Sequence, residues 1–164
     1  MQSHIGQMKE CDWEAVRSIY EEGIATGKAT IETETPGWEE WDGSHLNSCR
    51  LLARVEGKVV GWAALSLVLT RCAYSGVAGV SVYVAASARG QGIGVTLLRA
   101  LIEESERAGI WTLQARIFPE NVASVVLHES CGFRTVGVRE RLGKLNGVWR
   151  DVVLMERRSK VVGL

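Results

Sequence analysis

The chain has 164 residues, of which 46% are hydrophobic and 23% charged, and its 19 Lys and Arg equal its 19 Asp and Glu. That length and balance suit one domain, expected over residues 1–164, with a sizeable core. No basic excess points to nucleic acid, no acidic block suggests a disordered tail, and the longest apolar runs, such as Val59 to Leu69, are too short to cross a bilayer.

A short strand is expected over Ile5 to Met8. Asp12 can cap a helix whose apolar stripe is Val16, Ile19, Tyr20 and Ile24, and Gly27 ends it. Ala29 to Gly37 reads as a polar loop with Pro36, and Trp38 to Leu46 as a short amphipathic helix. Strands at Arg50–Glu56 and Lys58–Leu69 meet at Glu56-Gly57, a hairpin signal. A strand at Gly76–Ala85 leads into a glycine-rich loop and a helix closed by Gly109. Trp111–Phe118 is the next strand. Asn121 can cap a helix carrying Ala123, Val126 and Leu127, ended by Gly132. Strands at Phe133–Arg141 and Val148–Glu156 meet around Leu145-Asn146-Gly147, where Asn-Gly is a strong turn signal. The order β-α-α-β-β-β-α-β-α-β-β describes an α/β (α+β) domain with a mixed, largely antiparallel sheet.

The glycine-rich loop is the segment that carries chemistry. Val80, Val82 and Val84 alternate with Ser81 and Tyr83, the period of a half-buried strand. Gly90, Gly92 and Gly94 then remove every second side chain, and Ile93, Leu97, Leu98, Leu101 and Ile102 repeat at helical spacing. Such a loop gathers backbone N–H groups at a helix N-terminus, a seat for phosphate or pyrophosphate. The dinucleotide fingerprint fails, because the sixth position from Gly90 is Val95 and from Gly92 is Leu97. A Walker loop fails for want of Gly-Lys followed by Ser or Thr. The cysteines at 11, 49, 72 and 131 form no Cys-x-x-Cys pair and there is no histidine cluster, so no metal is expected and reduced thiols fit a cytoplasmic protein. The N-terminus lacks a basic stretch followed by an apolar one, so no signal peptide is expected. Trp38 and Trp41 stand at helical spacing, which suits core packing as well as the wall of a site.

Arg89-Gly90-Gln91-Gly92-Ile93-Gly94 resembles the pyrophosphate loop of the acetyl-CoA-dependent N-acetyltransferases of the GNAT superfamily. The chain as a whole is similar to the phosphinothricin-type members. The matching stretches are Ile19-Tyr20-Glu21-Glu22-Gly23-Ile24, Ala29 to Glu34, Arg71 to Tyr74, Val77 to Val84, Asn121-x-x-Ser124-x-x-Leu127-His128 with Gly132-Phe133, and Trp149 to Val152. The resemblance implies the GNAT fold and a homodimer. It also implies acetyl transfer from acetyl-CoA to the amino group of a small amino-acid-like acceptor: phosphinothricin, methionine sulfoximine or sulfone, or an arsenic analogue. By position it implies that Val82, Tyr83 and Val84 hold the pantetheine arm. Arg89, Gly90, Gln91, Gly92, Ile93, Gly94 and Val95 would surround the pyrophosphate, and Asn121 would bond the pantetheine region. Ile31, Arg71, Tyr74, Gly79 and Ser81 would face the acceptor, where a guanidinium such as Arg71 suits a carboxylate or phosphinate.

One position departs from that pattern. Gly79 stands where the subfamily usually places a glutamate that takes the proton of the acceptor amine. Three readings remain: another group serves, positioning suffices, or the chain is a weakly catalytic CoA-binding protein. Glu32, Glu34 and His128 are the candidate substitutes, with Glu34 and His128 carried as catalytic. His128 also stands where many superfamily members carry the tyrosine that reprotonates the thiolate. Other amines, a peptide N-terminus or a polyamine, are the rival acceptors.

Overall fold

The computed structural model describes residues 2–164. Its elements are β1 (His4–Gln7), α1 (Trp13–Ala25), α2 (Trp38–Ser44), β2 (Leu51–Val55), β3 (Lys58–Leu67), β4 (Val77–Val84), α3 (Ile93–Arg107), β5 (Thr112–Ile117), α4 (Val122–Ser130), β6 (Arg134–Leu145) and β7 (Val148–Arg158). This is the order read from the sequence. The strands form one sheet in the order β1-β2-β3-β4-β5-β7-β6. Neighbours are antiparallel except β4 and β5, which run parallel because α3 carries the chain across between them.

Each face of the sheet is covered for a reason visible in the sequence. On α3 the residues Ile93, Leu97, Leu98, Leu101 and Ile102 recur three or four apart, so they form one stripe, and all are buried. The stripe packs in the same core as Leu113, Ala115 and Ile117, alternate residues of β5. Leu97→Ala would cost about 2–5 kcal/mol as a cavity in this layer. The opposite face carries α1 and α2. There Trp41 and Trp62 are fully buried with ring centroids 5.7 Å apart, and Trp13 lies 5.6 Å from Trp41. Trp41 is therefore core, and Trp38 packs against that core.

The sheet opens in its middle. β4 pairs with β5 at Val77↔Thr112, Ala78↔Leu113 and Gly79↔Gln114, and the pairing then stops. β4 nevertheless continues to Val84 on β3, and β5 continues to Ile117 on β7. The two strands diverge into a fork, and the fork positions the site.

Three local expectations are corrected. The Asp12 side chain does not cap α1. It accepts from the Lys9 N–H at 2.9 Å and from Arg54 at 2.8 Å, closing the turn that precedes the helix. α2 ends at Ser44, short of Leu46, because the Arg50 guanidinium takes the carbonyls of Asp42, His45 and Leu46. β6 does not stop at Arg141. Arg141 adopts φ 49°, its N–H donates to Asp151 at 2.9 Å, and the strand resumes beyond this bulge to reach the turn at Asn146-Gly147.

Candidate active site

A cavity of about 520 Å3 occupies the fork. Its walls are Gly79–Tyr83 of β4 and Gln114–Phe118 around the end of β5. That volume lies within the range of small-ligand sites. The backbone of β4 is aimed into it. The Ala85 N–H donates to the Val60 carbonyl, and in an antiparallel ladder alternate residues turn toward the same neighbour. Ser81 and Tyr83 therefore bond β3, while Val82 and Val84 direct their backbone groups toward β5, which has already turned away. The Val84 carbonyl accepts from Arg89 Nε at 3.3 Å, which fixes this arginine beside the strand end.

The glycine loop follows directly. Gly90 and Gly92 adopt φ 75° and 80°, left-handed values that side chains disfavour. α3 has no side-chain cap at its N-terminus, and its first main-chain bond runs from the Thr96 N–H to the Gly92 carbonyl. The N–H groups of Ile93, Gly94 and Val95 thus point outward from the positive end of the helix dipole. A methyl group added at Gly90 or Gly92 would meet no protein atom within 4 Å, so the approach is open. A pyrophosphate fits this cradle.

α4 supplies the side chains on the same flank. The Asn121 carboxamide accepts from the Ser124 N–H at 3.3 Å as a helix cap, and its Nδ2 donates to the Lys28 carbonyl at 3.3 Å. It thereby ties α4 to the α1–α2 loop while lining the cavity. His128 lines the cavity too, is 5% exposed, and meets the Phe133 ring edge-on at 5.1 Å. Its Nδ1 lies 2.7 Å from the Ser124 carbonyl. A carbonyl has no proton to give, so Nδ1 carries the hydrogen, and in the neutral ring Nε2 keeps its lone pair. Burial lowers the His128 pKa, with the Ser124 bond opposing, which favours that neutral form. Burial raises the Tyr83 phenol above its ordinary value, so it stays protonated among Tyr20, Trp62 and Thr30.

The cavity also reaches the other face of the sheet. Across it, Ser66, Gly79 and Gln114 form one row in register, on the face opposite buried Ala78 and Leu113. The α1–α2 loop roofs this side. Ile31 packs where a side chain at Gly143 of β6 would stand, and both line the cavity. Phe118, Leu145 and Val152 form a small cluster of their own beside it.

The fork thus gathers Ile31, Gly79, Ser81, Val82, Tyr83, Asn121 and His128 around one cavity. It does not gather all the expected residues. Glu34 lies in a separate shallow depression with Arg17, Glu21 and Thr35. Glu32 is exposed and absent from the cavity lining. Arg71 and Tyr74 sit at the exposed turn around Cys72–Tyr74, between β3 and β4, and do not line it. Among the described residues the lining includes no carboxylate. Sequence reasoning missed Ser66, Gln114, Arg116 and Ser124. The signal available for two of them was the alternation on β5, where polar Gln114 and Arg116 interleave with Leu113, Ala115 and Ile117.

A sheet forked between parallel neighbours, followed by a glycine loop and an uncapped helix N-terminus, is the arrangement that the resemblance to the CoA-dependent acyltransferases of the GNAT superfamily implies. Comparison with known proteins agrees: the Acetyltransferase (GNAT) family matches residues 13–133. The chain belongs to this family and is an acetyl-CoA-dependent N-acetyltransferase. Over 157 residues it is 36% identical to the phosphinothricin N-acetyltransferase of Alcaligenes faecalis, covering 92% of this chain and 79% of that one. It is 29% identical over 163 residues to the L-methionine sulfoximine/L-methionine sulfone acetyltransferase of Pseudomonas aeruginosa, covering 95% and 94%. The crystal structure of a phosphinothricin acetyltransferase from Sinorhizobium meliloti in complex with acetyl-CoA superposes with a TM-score of 0.87 at 28% identity, covering 99% and 91%.

Proposed function

We propose that this chain acetylates the amino group of a small amino-acid-like acceptor of the phosphinothricin and methionine sulfone type. The observation that carries the reading is the roofed cavity in the fork: it is lined by Val80 and Val82 of the strand that leads into the glycine loop, by Asn121 and His128 of α4, and by no carboxylate among the described residues. The roof of Ile31 over Gly143 favours a compact acceptor over a peptide end. A polyamine would need acidic partners, which the lining does not offer. The relatives named for phosphinothricin and methionine sulfoximine support the same class.

Bound acetyl-CoA supplies an activated acetyl group, whose C–S bond breaks as the acceptor nitrogen forms its new C–N bond. The chain's residues hold, orient and move the proton. The N–H groups of Ile93, Gly94 and Val95, with Arg89 beside them, seat the pyrophosphate. The backbone of Val82 and Val84 aligns the arm, and an N–H on this stretch faces the carbonyl oxygen, where negative charge grows. His128 Nε2 takes the proton that the attacking amine must shed, then returns it to the departing thiolate. One imidazole of lowered pKa thereby covers both the role of the absent glutamate and that of a thiolate acid. The ring cannot act first as an acid, because its neutral form holds its only hydrogen on Nδ1. No covalent enzyme intermediate is required.

The test is product identification by mass spectrometry after incubation with acetyl-CoA and, separately, phosphinothricin, L-methionine sulfone, spermidine and a short peptide with a free N-terminus. Acetylation confined to the first two is expected. Preferential acetylation of the peptide or spermidine would replace the reading.

A further inference from the structure

Arg116 is the cation that lines the cavity, and the functional roles above do not use it. It lies on β5 two residues beyond Gln114, on the face opposite the buried Leu113, Ala115 and Ile117. That is the face of Gly79, away from the glycine loop and α4. Among the described residues its guanidinium has neither a hydrogen-bond nor an ion-pair partner. The neighbouring acids are engaged elsewhere: Glu156, opposite Gln114, pairs with Arg134 at 2.5 Å, and Glu120 pairs with Arg150 at 3.3 Å. The Asp151 carboxylate receives the Arg141 N–H.

Beside it the sheet leaves a niche. In the row Ser66–Gly79–Gln114 the middle residue has no side chain, and adjacent strands stand about 4.8 Å apart. Ser66 and Gln114 therefore flank Gly79, with a hydroxyl on one side and a carboxamide on the other, and Ser66 Oγ and Val68 Cγ2 stand 3.3 and 3.4 Å from where a Cβ on Gly79 would lie. We propose that Arg116, Gln114 and Ser66 form the subsite for the acceptor's oxyanion, its carboxylate or its phosphinate, in the space that Gly79 leaves open. The proposal rests on the amino-acid-like acceptor argued above. It gives Gly79 a positive role, since a side-chain carboxylate there would compete with the acceptor's own acid for Arg116. It also moves the acid-binding role from Arg71 to Arg116; both are exposed, but only Arg116 lines the cavity.

The test compares kcat/KM for L-methionine sulfone, which carries one acid, with its decarboxylated amine, and for phosphinothricin with its decarboxylated amine, which keeps only the phosphinate. In Arg116→Ala the preference for the acid over its decarboxylated partner falls about 10–150-fold, the worth of a lost charge-assisted hydrogen bond. Arg116→Lys retains part of it. A fall with methionine sulfone assigns the carboxylate. A fall in turnover of decarboxylated phosphinothricin, with the methionine sulfone preference intact, assigns the phosphinate. If neither changes in Arg116→Ala, or if Arg71→Ala collapses the preference instead, the subsite is refuted while the acceptor class stands. If the parent acetylates none of these acids, the acceptor class itself is refuted, and the subsite with it.

Discussion

Gly92→Val tests the proposed pyrophosphate cradle at a residue whose backbone is left-handed. Gly92 is the residue before α3, at φ 80° and ψ 6°. A side chain in the left-handed region costs roughly 1–2 kcal/mol. For a chain of this size that lowers Tm by about 2–8 °C, and since nothing crowds the new Cβ the protein still folds. Binding suffers more. The loop must either keep the strained conformation, with a branched side chain where the phosphates approach, or relax and scatter the N–H groups of Ile93 to Val95. Losing one charge-assisted hydrogen bond costs about 1.5–3 kcal/mol, or roughly 10–150-fold in Kd. Calorimetry should be run with CoA and with pantetheine, which lacks the pyrophosphate. CoA affinity falls by at least the lower figure, and pantetheine affinity falls far less. Unchanged CoA binding in a folded variant would remove the loop from the site, and equal loss for both ligands would show general distortion.

His128→Gln lowers kcat by about 10²–10⁴-fold and removes the acid limb of the pH–rate profile, which in the parent falls as His128 protonates below about pH 6.5; a parent whose rate rises on acidification refutes the base assignment. Gly79→Glu does not raise kcat; its Cβ lies 3.3 Å from Ser66 Oγ and its carboxylate pairs with Arg116, so the acceptor KM rises severalfold, whereas a large gain in kcat would restore the view that this position lacks its base. Stability falls with acidification. Burial lowers the folded-state pKa of both His45 and His128, so their contribution is complete above the unfolded value near pH 6.5 and is lost as pH drops through the lowered folded values; a Tm that holds steady from pH 7 to 5 contradicts this.

The readable parts of the molecule were those set by local spacing. The strand-loop-helix from Val80 to Ile102 formed as its alternation, glycines and helical repeat dictate, and Asn146-Gly147 turned the β6–β7 hairpin. What sequence could not show depends on partners far along the chain. The unpairing of β4 from β5 beyond Gly79 is a property of two strands about 35 residues apart, and no local pattern announces it. Arg116 gains meaning only because the fork lets it line the same cavity as Gly79. Glu34 lies outside the cavity for the same reason in reverse: its neighbour Thr35 bonds Arg17 and Glu21 on α1 and holds that part of the loop away. Asp12 looked like a cap, but Arg54, 42 residues on, competed for its carboxylate.

The most direct measurement of the central claim is the initial rate of free CoA thiol release from acetyl-CoA, with and without saturating phosphinothricin. An acetyltransferase with His128 moving the proton releases thiol only when the acceptor is present, in step with N-acetylated product, and the dependence is lost in His128→Gln. Tight acetyl-CoA binding with no acceptor-dependent release would contradict the account and leave a CoA-binding protein whose catalysis ended with the glycine at position 79.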